Sequence, residues 1–293
     1  MKIAIASGKG GTGKTTAATN LAYVASSNGR GVAYLDCDVE EPNGALFLQP
    51  AITESQPVEV SVPQVDAAKC TGCGLCGQIC QYSAIVVIEG KVLVFQELCH
   101  GCGGCWLVCP AGAVAESQRT TGRIECGHAG KVRFGQGILD VGQAMSPPVI
   151  KAVKKAASDV GLVIIDAPPG TSCPVIESVR DTDFVLLVTE PTPFGLNDLK
   201  LAVEMVRTLG LPFGVLINRA AHRDSDTHVW CREEGIAILA EIPDDRRVAE
   251  AYSRGEMICE ALPEYAEVFS SLLAQVEAAV AAGPALAEGR PAS

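Results

Sequence analysis

Aromatic side chains are scarce in this sequence: Phe, Tyr and Trp make up 5% of its 293 residues, although 48% are hydrophobic and 30 are Gly. That core material suits helices packed closely on a sheet better than an all-β sandwich. Positive charge is also short. Lys and Arg number 23 against 34 Asp and Glu, a net charge of −11. Tight nucleic-acid binding needs a basic surface to meet phosphates, so nucleic acid is not an expected partner. No apolar run is long enough to cross a bilayer, and no membrane partner is expected. The opening MKIAIAS leads straight into a glycine-rich loop, with no apolar h-region or cleavage site, so the expected location is the cytoplasm. Disulfides are not expected there. Thirteen Cys in such a chain point to metal ligation.

The length allows one large domain or two ordinary ones. Lys2–Ser7 reads as a strand, Gly8–Gly13 as a loop, Lys14–Ser27 as a helix and Val32–Asp36 as a second strand, a right-handed βαβ unit. From about Gln64 to Glu116 the chain becomes rich in Cys and Gly. After about Thr120 the α/β pattern returns, and the apolar runs Gly161–Asp166, Phe184–Thr189 and Phe213–Asn218 read as buried parallel strands. Leu196–Leu209 and Glu264–Ala281 read as helices, the second just after Pro263. The tail, 283–293, is small, polar and Pro-containing, and is expected to be disordered.

Gly8-Lys9-Gly10-Gly11-Thr12-Gly13-Lys14-Thr15-Thr16 fits the phosphate-loop pattern G-x-x-x-x-G-K-[ST], between a strand and a helix as that motif requires. Glycines let backbone N–H groups turn inward around phosphate oxygens. The helix N-terminus adds partial positive charge. Lys14 is expected to reach the β- and γ-phosphates of ATP, and the Thr15 hydroxyl to ligate Mg²⁺. The fold class that follows is α/β: a P-loop NTPase with a mostly parallel sheet flanked by helices. Residues 1–63 and 117–282 form one discontinuous ATPase domain around an insert, 64–116.

The extra lysine gives KGGTGKTT, which resembles the deviant Walker A signature of the MinD/ParA class, a class that includes the nitrogenase iron protein. The resemblance implies an ATP-dependent dimer, with itself or with a similar ATPase, in which Lys9 reaches phosphates across the interface. Further motifs match in order. Asp38, in Leu35-Asp36-Cys37-Asp38, stands where the class orients the attacking water. Asp166, ending GLVIID, stands at the Walker B position. Both Asp residues are expected to reach Mg²⁺ through water. Asp166-Ala-Pro-Pro-Gly170 resembles the second switch, with the Gly170 N–H as a γ-phosphate sensor. Asn218 matches the adenine-contacting Asn, and Ile242-Pro243-Asp244 the segment on the other side of the base. Lys9, Lys14, Asp38 and Asp166 are thus the expected catalytic set, at the strand ends where open α/β sheets bind ligands.

The Cys-rich stretch repeats itself. Cys70, Cys73, Cys76 and Cys80 recur 29 residues later as Cys99, Cys102, Cys105 and Cys109. Each run is C-x₂-C-x₂-C-x₃-C, the spacing of two-cluster bacterial ferredoxins, in which the fourth Cys ligates the other cluster. One [4Fe–4S] cluster is then expected on Cys70, Cys73, Cys76 and Cys109, the other on Cys99, Cys102, Cys105 and Cys80. Pro110 follows Cys109 as the pattern expects; Gln81 follows Cys80 where Pro is usual. Zinc is the alternative, although it prefers two CxxC pairs. Cys37, Cys126, Cys173, Cys231 and Cys259 are less informative; Cys173, seven residues after Asp166, has an offset similar to that of a cluster-bridging Cys in the nitrogenase iron protein, but with no second such Cys identified it is expected in the core or an interface.

Taken together the chain resembles MinD-superfamily P-loop ATPases with an inserted α+β ferredoxin domain. That resemblance implies an ATPase, slow and partner-stimulated. Its expected role is first to couple nucleotide state to electron transfer through two [4Fe–4S] clusters, with an unidentified redox partner. The alternatives are a maturation or carrier factor delivering metal cofactor to an acceptor protein, ranked lower because eight well-spaced ligands favour stable clusters, and a positioning or regulatory switch. The segment EYAEVFSSLLAQVEAAVAAG has no basic face to hold a membrane.

Overall fold

Short apolar runs between turn residues become most of the strands of a nine-stranded sheet. The computed structural model describes residues 1–156, 160–220 and 225–283; the tail expected to be disordered lies, apart from Gly283, outside the described residues. In chain order the strands are β1 (Lys2–Ala6), β2 (Val32–Asp36), β3 (Ala51–Val65), β4 (Ile85–Ile88), β5 (Lys91–Val94), β6 (Val114–Ala129), β7 (Val132–Leu139), β8 (Leu162–Asp166), β9 (Phe184–Thr189), β10 (Phe213–Ala220) and β11 (Ile238–Pro243). The large sheet has the order β11-β10-β9-β1-β8-β2-β7-β6-β3. From β11 to β7 its strands are parallel. β2, β8 and β9 are buried along their whole length, as strands covered on both faces must be, so they read as unbroken apolar runs.

The far edge of the sheet is not the expected one. β6 and β7 are joined by the two-residue turn Gly130-Lys131. β3 runs antiparallel to β6: Thr53 Oγ1 donates to Cys126 O, and Thr121 Oγ1 to Val58 O. β3 and β6 are 15 and 16 residues long and half exposed, so they lack the short, unbroken apolar signature.

Two compact units result. The first comprises Met1–Ser55, Ile124–Ile138 and Ile150 through the last described residue; the second comprises Gln56–Arg123 and Leu139–Val149. The second is wider than 64–116 because long strands carry pairing beyond the Cys-rich stretch. The core of the first unit holds Ile3, Ile5, Leu21, Tyr34, Leu162, Ile164 and Phe184, with Phe269 and Leu272 of the helix Tyr265–Ala282 packed on the helix Lys14–Ser27. The second unit has its own hairpin, β4–β5, turned at Glu89-Gly90 with both residues left-handed. No helix among the described residues is long and apolar enough to cross a membrane.

Candidate functional site

The loop from Ser7 to Gly13 links β1 to the helix Lys14–Ser27. Gly13 sits at the helix start with φ 97°, and a Cβ there would lie 2.3 Å from Asn218 Nδ2. Only Gly fits. At Gly8 a Cβ would lie 2.1 Å from the Asp198 carbonyl oxygen. Lys14 is buried, which pulls its pKa down; Asp166, Asp38 and Asp36 oppose this.

Three carboxylates face that lysine. Asp36 and Asp166 are register partners at the ends of β2 and β8, and both are buried. Asp36 is fully engaged. Its Oδ1 accepts from Asp38 N–H at 3.1 Å, and its Oδ2 from Asn43 and Gly44 N–H at 3.1 and 2.8 Å. Asp166 is half engaged. Its Oδ2 accepts from the Tyr34 hydroxyl at 3.0 Å, while its Oδ1 is buried with no hydrogen-bond partner. Burial pushes both carboxyls up, and Asp166 raises Asp36 further; the Thr15 hydroxyl and Lys14 pull Asp166 the other way. Asp38 is pushed up to about 6, by burial and then by Asp166. An unpaired carboxylate oxygen beside a Thr hydroxyl and a lysine fits Mg²⁺, which takes one or two carboxylates and keeps several waters.

A cleft with about 1180 Å³ of empty space, its open mouth included, lies over the loop. Of the residues expected to meet nucleotide, Gly10, Gly11, Gly13, Lys14, Thr15, Thr16, Asp38, Asn218, Pro243 and Asp244 line it. Gly8, Lys9, Thr12, Asp166 and Gly170 do not line it. Thr12 supplies the carbonyl that accepts from Asn218 Nδ2 at 2.8 Å. Asn218 Oδ1 accepts from Arg219 N–H, so both polar ends of the amide expected to meet adenine are bonded to backbone here. The Gly170 N–H, expected to sense a phosphate, donates to Ser7 O at 3.0 Å. Lys9 pairs with Glu190 at 3.9 Å, and Glu190 also holds Arg219 at 2.8 Å. Sequence reasoning missed Asn43, Asp245, Val248 and Tyr252 of the cleft wall. The last three flank or lie on the helix Arg246–Ser253, which carries no motif.

In the second unit the 29-residue repeat is a repeat of backbone. Gly72 and Gly101 have φ 68° and 67°, Gly74 and Gly103 φ 84° and 80°, and each pair leads into a short helix, Leu75–Ile79 or Gly104–Leu107. Gly72 N–H donates to Cys70 Sγ at 3.5 Å, Gly101 N–H to Cys99 Sγ at 3.4 Å and Ala113 N–H to Cys109 Sγ at 3.2 Å. Cys70, Cys73, Cys76 and Cys109 line one cavity of about 310 Å³ of empty space, with Val92 and Val114. Cys80 and Cys99 pack together against Val62 and Ala84. Cys99 and Cys102 are near enough to Cys105 that, after burial, their charge raises its thiol pKa. Burial raises the Cys80 thiol, but the backbone N–H groups of Tyr82, Ile85, Ala84 and Ser83 outweigh it and lower the pKa; Ala113 and its neighbours lower Cys109 likewise. Among the described residues no three His, Cys, Asp or Glu close around a single ion. Four thiols lining one cavity are the ligand set a four-iron cluster takes. Thiolates ringed by N–H donors around an apolar-walled cavity suit such a cluster. The His100 ring stacks on Tyr82, centroids 3.5 Å apart. Cys37, Cys231 and Cys259 are buried, whereas Cys173, expected in the core or an interface, is exposed on this chain.

A family model described as the CobQ/CobB/MinD/ParA nucleotide binding domain matches residues 3–258. An uncharacterised protein of Methanocaldococcus jannaschii, MJ0579, is 30% identical over 87% of this chain and 90% of its own length. An iron-sulfur cluster carrier protein of Pyrococcus horikoshii is 26% identical over 87% of this chain and 77% of its own. In fold, the chain is similar to the septum site-determining protein MinD of Pyrococcus horikoshii, solved with Mg-ADP: TM-score 0.59, 22% identity, covering 96% of this chain and 97% of that one.

Proposed function

Because this chain belongs to the CobQ/CobB/MinD/ParA nucleotide-binding family, we propose that it hydrolyses Mg·ATP and, through that cycle, carries [4Fe–4S] clusters to an acceptor protein. Lys14 and the loop N–H groups hold the phosphates, Thr15 and Asp166 hold Mg²⁺, and Asp38 positions the water; phosphoryl transfer is mostly positioning and charge neutralisation. Lys9 leaves Glu190 and serves the site of a second copy in the ATP-bound dimer. The observation that carries the cluster reading is the cavity lined by Cys70, Cys73, Cys76 and Cys109. Relatives called iron-sulfur cluster carriers, matching over 87% or more of this chain, put carriage ahead of electron transfer and reverse the order expected from ligand number alone.

The test is anaerobic. Protein reconstituted with ⁵⁵Fe is mixed with an apo-[4Fe–4S] acceptor in ATP, in ADP and without nucleotide. Carriage is expected to move label to the acceptor fastest with ATP. Full retention of iron through repeated turnover would overturn it. A second reading, ATP-gated electron transfer, is favoured by the duplicated Cys loops, whose eight thiols are enough for two resident centres. It requires cluster potentials that shift with Mg·ATP, measured by EPR-monitored redox titration.

A further inference from the structure

The buried polar groups beneath the cleft include one that the nucleotide reading does not use. Tyr34 lies in the middle of β2, fully buried and stacked on Phe134 with centroids 5.7 Å apart. An apolar partner such as Val or Leu would fill a parallel strand equally well, yet this side chain carries a hydroxyl. That hydroxyl donates to Asp166 Oδ2 at 3.0 Å. The opposite oxygen, Oδ1, is left buried and unpartnered.

The surroundings leave the phenol little freedom. A Cβ on residue 44 would lie 2.2 Å from the Tyr34 hydroxyl, so Gly44 is what gives it room. The Gly44 N–H in turn binds Asp36 Oδ2 at 2.8 Å. The neighbouring carboxylate is thereby engaged by backbone N–H groups, and the phenol's acceptor is Asp166.

We propose that Tyr34 is a positioning residue for the metal of the nucleotide site: by holding Asp166 Oδ2 it sets the carboxylate rotamer and aims Oδ1 at the Mg²⁺ of Mg·nucleotide. This rests on the reading of the phosphate loop as a Mg·nucleotide site. A carboxylate free to rotate about its Cβ–Cγ bond must be ordered when the ion arrives; one held from behind is already ordered. Tyr34 is fully buried and does not line the cleft, so its effect is confined to binding that depends on the metal.

The experiment is calorimetric titration of ADP into the full chain, in excess Mg²⁺ and again in EDTA, for wild type, Tyr34→Phe, Asp166→Asn and the double variant. In EDTA, Tyr34→Phe is expected to bind ADP within about twofold of wild type. The tightening that Mg²⁺ gives is expected to fall about tenfold, the scale of one hydrogen bond to a charged group. On the Asp166→Asn background, Tyr34→Phe should change Mg²⁺ dependence no further. An undiminished Mg²⁺ effect in Tyr34→Phe overturns the inference, and so does an equal loss with and without the metal, which marks general loosening. If circular dichroism shows that Tyr34→Phe does not fold, Gly44→Ala, whose new methyl displaces the hydroxyl, is read by the same criterion. A wild-type protein that binds no ADP, or binds it without help from Mg²⁺, removes the nucleotide reading itself, a result distinct from the other two.

Discussion

Asp36 and Asp166 end adjacent strands side by side, both out of water, and burial lifts both carboxyls above the usual 3.8. A carboxyl whose folded-state pKa exceeds its unfolded one binds its proton more tightly in the fold. It therefore stabilises the fold at acid pH, and that contribution is lost as pH rises through the folded value. At pH 7 the unliganded protein therefore lacks the stabilisation that a protonated Asp166, with a folded value of about 6, supplies in acid. Asp166→Asn is expected to raise the ligand-free stability at pH 7 by about 1–2 kcal/mol, with the gain shrinking towards pH 4. The same variant loses Mg²⁺-dependent tightening of ADP. Denaturant titrations at the two pH values check the sign; a less stable variant at pH 7 would show that Asp166 is a structural anchor instead. Sequence order singled out Asp166 and Asp38 because each lies at or just past the end of an apolar strand within a motif. The roles of Asp36 and Tyr34 were not legible, because strand register decides which carboxylate is capped by backbone and which is left open.

At the scale of elements, the phosphate loop and the duplicated Cys loops were readable because both are fixed by glycine. Gly13 combines φ 97° with the close approach of Asn218. Gly13→Ala is expected to cost about 2–4 kcal/mol in stability, from the left-handed backbone and the clash together, and to abolish ADP binding by calorimetry. The Cys loops obey the same logic twice, with left-handed glycines at matching places in the repeat. If Cys109 completes the first cage and Cys80 the second, Cys109→Ser should halve the iron retained after anaerobic reconstitution, and Cys80→Ser should do the same independently. Loss of all iron in either variant would mean one shared site. What stayed illegible was the β3–β6–β7 edge. Its long strands are half exposed and mixed in polarity, and pairing between residues as distant as Thr53 and Cys126 leaves no local signature. The expected insert limits, at 64 and 116, therefore fall inside β3 and β6 rather than between elements.

At the scale of the whole molecule, the sequence also allows a positioning or regulatory switch that would bind membrane or DNA. Charge and packing argue against it here. A chain of net charge −11 is repelled by phosphate polyanions and anionic lipid alike. An amphipathic helix grips a bilayer through an apolar stripe bordered by Lys and Arg. The helix Tyr265–Ala282 has neither to offer: it contains no Lys or Arg, and Tyr265, Phe269, Leu272, Leu273 and Val276 of its stripe are buried in the core of the first unit. Releasing that stripe would expose five large apolar side chains at about 1.5–3 kcal/mol each, comparable with the whole stability of a typical domain. ATP-loaded protein spun with anionic liposomes, and separately with duplex DNA, is therefore expected to stay in the supernatant at physiological salt. ATP-dependent co-sedimentation with either would show a binding surface outside that helix, and would move the ATPase cycle from cluster handling towards positioning.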